Sequence, residues 1–211
     1  MSDDKKNPAD DGLNTTKILD TARAQIRRHG QSKTNIVDIA KALGTSHTTI
    51  YRHFRSKTDV FDAIVVDAMK DEEALAKAFV ASSAPASERL LGMVLALHRR
   101  KRERLEGDPE VYELYRRVLE VRPELVKNYT AAMTRLLAAI IEDGVKRREF
   151  VVDDVDLAAG IVRDAVTVYV HPAHVELAFK AGLDLEPSVR RMIETLVIAM
   201  RRGLSLGNIP D

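Results

Sequence analysis

The chain of 211 residues contains no cysteine, which removes disulfides, thiolate metal sites and cysteine nucleophiles together. That absence fits a reducing compartment, and the expected location is cytoplasmic. No apolar run approaches the roughly 20 residues needed to span a bilayer, so no membrane partner is expected. The charged, Asp-rich start of the chain lacks the form of a signal peptide. Also missing are a glycine-rich phosphate loop, a nucleophile set beside a histidine, an alternating strand pattern and any internal repeat. Nothing here argues for catalysis or a cofactor, and the chain reads as all-α.

What is present is ordinary in bulk, with 45% hydrophobic and 31% charged residues, as expected for a globular protein. The distribution of charge is less ordinary. The formal total is +1, yet residues 12–57 hold nine Lys and Arg against only Asp20 and Asp38. A basic head on a mildly acidic remainder suits a protein that presents one end to a polyanion.

The same basic stretch contains Thr34 to Lys57, where two short helices flank a tight turn. Ile36, Ile39, Ala40 and Leu43 recur at helical spacing, with Thr34 placed to cap that stripe. Gly44 follows, where a left-handed backbone costs nothing sterically. Ser46 then caps a second helix whose inward positions are Ile50 and Phe54. Helix, glycine turn and capped helix form the helix-turn-helix pattern, whose second helix enters the DNA major groove. Ser46, His47, Thr48, Thr49 and Arg52 lie on or beside its outward face. His47 and Arg52 are the best placed to discriminate between base edges, aided by threonine methyl contacts. Tyr51, His53, Lys57 and Thr34 are candidate phosphate contacts, with Lys33 weaker. Tyr51 also suits partial core packing, and the two roles are compatible.

The run Ile50-Tyr51-Arg52-His53-Phe54-Arg55-Ser56-Lys57-Thr58-Asp59-Val60-Phe61 resembles the signature of the tetracycline-repressor (TetR) family of bacterial transcriptional regulators. In that family a Tyr-x-x-Phe run ends the third helix and Ser-Lys starts the fourth. The resemblance spans about Thr15 to Ile64, departing at Thr48, where the family often has glycine. It implies a three-helix DNA-binding head over residues 14–60, preceded by a disordered tail at 1–13. A helical bundle over residues 61–211 would bind a small-molecule effector and dimerise. The expected partner is a near-palindromic double-stranded operator, bound by a homodimeric repressor. An effector-independent architectural DNA-binding protein of the same fold is the alternative, and an enzyme with an accessory DNA head is a third class.

Beyond the head, the periodicity predicts helices from near Ser56 to Val80, Ala86 to Leu105, Glu110 to Val121 and Pro123 to Arg148. Further helices run from Asp153 or Asp154 to Tyr169, from past Pro172 to Gly182, and from Pro187 to Leu204. Met93, Leu97, Tyr112, Tyr115, Met133, Leu137, Val162, Val166 and Tyr169 are the candidate inward ligand-binding residues, apolar with a few phenolic hydroxyls. Arg99-Arg100-Lys101-Arg102-Glu103-Arg104 reads as a solvated helix end that complements the helix dipole. The last helix is apolar on more than one face, and Ala158-Ala159-Gly160 permits close helix contact, so these two helices are the expected dimer seam. In the family the same two helices form the dimer interface. His171-x-x-His174 has metal-like spacing but no convincing third ligand, and no metal is expected.

Overall fold

The computed structural model describes residues 14–203, so the expected tail at 1–13 and the expected last helical residue, Leu204, lie outside the described residues. Among the described residues the architecture is all-α. The elements are α1 (Thr15–His29), α2 (Ile36–Ala42), α3 (His47–His53), α4 (Lys57–Ala81) and α5 (Ala86–Gly107). They continue with α6 (Pro109–Val121), α7 (Pro123–Lys146), α8 (Val155–Val170), α9 (Pro172–Lys180) and α10 (Glu186–Arg202).

Most boundaries follow the local chemistry that the sequence advertises. Side-chain oxygens of Asn14, Ser46, Ser56, Asp108 and Asp154 accept backbone N–H bonds at the starts of α1, α3, α4, α6 and α8, satisfying donors that a first turn leaves orphaned. Proline opens α6, α7 and α9, where its missing N–H costs nothing. One cap differs from expectation. Asn35, not Thr34, caps α2, its Oδ1 accepting from Asp38 N–H at 2.9 Å. Thr34 instead turns back and donates its hydroxyl to the Gly30 carbonyl at 2.9 Å, and is almost fully buried. Gly44, at φ 66°, makes the turn between α2 and α3.

The chain divides into two compact units. The first comprises residues up to Ala68 together with Gly107–Arg122, so it extends past residue 60 and recruits α6. Here α1 packs on α2 and α6, and α2 packs on α3. Ile18, Ala22, Ile26, Ile39, Ile50 and Val60 have no exposed surface. Ion pairs tie the later segment in: Arg27 Nε meets Asp108 Oδ2 at 2.6 Å, and Arg122 Nε meets Asp62 Oδ2 at 2.8 Å.

The second unit comprises Met69–Glu106 and the residues from Pro123 on. Its α8 packs on α7, α9 and α10 around a core that includes Leu90, Met93, Ile140, Ile141, Ala159, Val189 and Ile193. Gly144 on α7 allows close approach, because a Cβ there would fall 2.5 Å from the Phe150 ring and 2.8 Å from Ala86 Cβ.

The basic run of α5 departs from the expected solvated helix end. Lys101 is 2% exposed and its Nζ lies 2.6 Å from Oε2 of Glu72, which has no exposed surface. Arg104 binds the other carboxylate oxygen, and the Tyr129 hydroxyl donates to Oε2 at 2.6 Å. Burial pushes the Glu72 carboxyl up, but the opposing charges of Lys101 and Arg104 outweigh it and hold the carboxyl below its ordinary value. The periodicity of α5 puts Lys101 one turn after Leu97, on the inward stripe. The acid that receives it is 29 residues earlier, on α4.

Candidate nucleic-acid interface

The helix-turn-helix is assembled from both of its apolar faces. Ile36, Ile39 and Ala40 of α2 and Thr49 and Ile50 of α3 are buried, and Phe54 closes the far end of α3. Burying those positions directs the opposite face of α3 outward, so His47, Thr48, Tyr51, Arg52 and His53 are all exposed. His47, Thr48, Tyr51 and Arg52 share one side of the helix by their spacing of three and four. The His47 and Tyr51 rings meet edge-on, their centroids 6.2 Å apart.

The structure does not bring every candidate to that face. Thr49 is 5% exposed, and its hydroxyl lies 2.9 Å from the Ser46 hydroxyl. Ser46 Oγ also accepts from Thr49 N–H at 3.1 Å, so this pair builds the cap. Thr34 is 1% exposed and bonded to Gly30, which removes it as a phosphate contact. Lys57 is half-buried, with its Nζ 3.5 Å from the Ser32 carbonyl and 5.0 Å above the Phe61 ring. Val37 on α2 was not singled out from the sequence, yet it is 61% exposed. Its position after the Asn35 cap was the available signal, hidden while Thr34 was read as the cap.

The candidate effector residues separate into two groups. Met93, Leu97, Met133, Leu137, Val162 and Val166 are buried in one apolar cluster, and Tyr169 packs against it partly buried. Tyr112 and Tyr115 are also buried, with ring centroids 6.4 Å apart, but α6 places them in the first unit with the head. A further polar group in the second unit was missed. His98 is 1% exposed, its Nδ1 lies 2.7 Å from the Tyr169 carbonyl, and its Nε2 is sealed without a hydrogen-bond partner. The signal was a histidine one residue after Leu97 on the apolar half of α5.

His171 and His174 are exposed, with ring centroids 5.4 Å apart. Desolvation, then the charges of His174 and Lys101, lower the His171 pKa. Among the described residues no group of three or more His, Cys, Asp or Glu could hold a metal ion. No described helix is long and apolar enough to cross a membrane.

Residues 18–64, which carry this helix-turn-helix, match the bacterial regulatory proteins of the tetR family, and residues 86–188 match the tetracyclin repressor-like C-terminal domain. The chain belongs to the TetR family of transcriptional regulators. No curated protein sequence matches it significantly. Among solved structures it is similar to the regulator FadR from Bacillus subtilis in complex with stearoyl-CoA. That pair has a TM-score of 0.62 and 21% identity over 87% of this chain and 98% of the other. SmeT, the repressor of the Stenotrophomonas maltophilia multidrug efflux pump SmeDEF, gives 0.63 at 16% identity over 96% and 98%. A transcriptional regulator from Cytophaga hutchinsonii gives 0.67 at 16% identity over 87% and 96%. At these identities the structural likeness establishes the shared fold, and the family match makes this protein a regulator and not an enzyme.

Proposed function

We propose that this TetR-family regulator is a cytoplasmic repressor that binds a near-palindromic operator as a homodimer and is released by a small, mostly apolar effector. The observation that carries the reading is the exposed row His47, Thr48, Tyr51 and Arg52 on a capped helix whose other face is buried. His47 and Arg52 read base edges in the major groove, and Thr48 offers a methyl contact. Tyr51, His53 and Lys57 hold phosphates and set the register. Ser46 serves chiefly by fixing the start of the helix. The reading head is residues 14–60, which share the first unit with the residues to Ala68 and with α6, and the second unit is the effector and dimer body.

For the effector, Met93, Leu97, Met133, Leu137, Val162, Val166 and Tyr169 supply apolar walls, and His98 Nε2 supplies an unpaired polar atom among them. The stearoyl-CoA held by the Bacillus subtilis relative makes a long-chain acyl-CoA the first probe. A hundredfold loss of operator affinity requires about 2.7 kcal/mol of differential binding between the two states. Linkage then requires operator DNA to weaken the effector by the same factor. The experiment selects an operator from random duplexes, then titrates stearoyl-CoA into protein with and without it. Preferential retention of near-palindromes and unequal affinities in the two titrations are expected. Failure to select any duplex removes the DNA reading, and equal affinities remove effector release.

A further inference from the structure

Within the first unit, a cavity of about 320 Å³ opens partly to solvent. It lies between the turn after α1, the start of α4 and one face of α6. Phe61, Leu114, Val118 and Val121 form its apolar walls, and Lys57 and Arg117 border it. The volume is at the lower end of the roughly 300–1,000 Å³ typical of small-molecule sites.

The charges around it are unbalanced. Arg23, Arg27 and Arg122 of the same unit are each paired with a carboxylate. Asp62 also lines the cavity, but its Oδ2 is held by Arg122. Lys57 approaches only a carbonyl and an aromatic face among its described contacts, and Arg117 is exposed with no acidic partner among the described residues. One further lining residue carries a sealed donor without a hydrogen-bond partner among the described residues, Gln31 Nε2, whereas the sealed Asp62 Oδ1 is an acceptor that an anionic ligand does not serve. Buried polar atoms are ordinarily paired, so the Gln31 donor is one that a carboxylate in the cavity could satisfy.

We propose that this cavity is a second ligand site, distinct from the effector region of the body, and that it takes an apolar carboxylate. The hydrocarbon part lies on Phe61, Leu114, Val118 and Val121, and the carboxylate is held by Arg117 and Lys57, with the guanidinium offering a bidentate fork. Because Lys57 is also a proposed phosphate contact, a carboxylate there competes with DNA for one cation. This consequence rests on the DNA reading given above, whereas the site itself does not.

The test uses the full chain and sodium decanoate below its micelle concentration, with decanol as the neutral comparison. Calorimetry is expected to show one decanoate per chain, bound at least tenfold more tightly than decanol. Arg117→Gln, a substitution at an exposed position outside the DNA face, should lower decanoate affinity at least tenfold and leave decanol unchanged. Amide shifts on decanoate addition should centre on Ser32, Thr58, Phe61 and Val121. Bound decanoate should also reduce the salt dependence of DNA binding by about one unit of log–log slope, the share of one phosphate contact. Equal affinity for acid and alcohol, indifference to Arg117→Gln, or shifts confined to the second unit would each overturn the site. If the protein binds no DNA at all, the DNA reading fails while the decanoate measurements still decide the cavity.

Discussion

Arg52 and Lys57 stand five residues apart with the same formal charge, yet their surroundings suit them to different work in the proposed DNA complex. Arg52 is exposed on the outward row of α3, where a planar fork can meet a guanine edge. Lys57 is half-buried at the start of α4, off the helix proposed to read bases, and its point charge suits a phosphate better than a base edge. Lys57→Ala should therefore weaken operator and random DNA alike, lowering the salt slope by about one unit. Arg52→Ala should cost about 1–3 kcal/mol more on the operator than on random DNA. Titrations of both variants on both duplexes at several salt concentrations decide this, and an equal loss for Arg52→Ala on the two duplexes contradicts base reading. At this scale the sequence was partly legible. Helical spacing separates Ile50 from Tyr51 and Arg52, but Thr34 and Asn35 are both good capping residues on adjacent positions. Only packing decides which of them turns inward.

Helix starts and ends were legible because caps, prolines and glycines act within a turn or two of the chain. The allegiance of whole helices was not. Tyr112 and Tyr115 look like body residues in composition, and only the tertiary packing of α6 on α1 places them with the head. Lys101 was misread for a related reason, since its partner Glu72 lies on another element. That pair locks α4 to α5 inside the second unit, and its energetics are asymmetric. Glu72→Ala leaves the buried Lys101 ammonium without its carboxylate, which should cost about 3–5 kcal/mol in urea unfolding. Glu72→Leu combined with Lys101→Met removes both charges and should recover most of that loss. A double variant as unstable as the single one would refute the assignment. The pH dependence has a definite sign. The Glu72 carboxyl is held below its ordinary value, so its contribution is present above the usual carboxylate range. It is lost as pH falls through the lowered folded value. The double variant should thus unfold less steeply with acid than the parent.

At the scale of the molecule, the question is which surface a second copy would cover. The sequence offered Ala158-Ala159-Gly160 and the two-faced last helix, and the structure divides that offer. Ala158 and Ala159 are buried in the protein's own core, as is Val197, so none of them is left for a partner. Gly160 remains open, since a Cβ there would meet only an Arg163 guanidinium nitrogen at 3.9 Å. On the same two helices, Leu157 and Val168 of α8 are 45% and 44% exposed, and Ile198 of α10 is 49% exposed. Leu157, Ile161 and Val168 follow one helical row, and α8 packs directly on α10. Apolar side chains left in a row beside a small residue are what a two-fold helix seam uses, because each copy presents the same patch to the other. The proposed homodimer therefore rests on Leu157, Ile161, Val168 and Ile198. Leu157→Glu with Ile198→Glu places unpaired charges where a dry contact is expected, at little cost to the monomer, because both positions are exposed within the chain. Sedimentation at micromolar concentration should give a dimer for the parent and a monomer for this variant, with helical content unchanged. The proposed dimer would also set the DNA geometry, since a two-fold axis places the recognition helices about one DNA turn or a little more apart. The variant should lose the preference for paired half-sites while keeping weak binding to one. A monomeric parent, or a double variant that remains dimeric, would show that this face is not the seam.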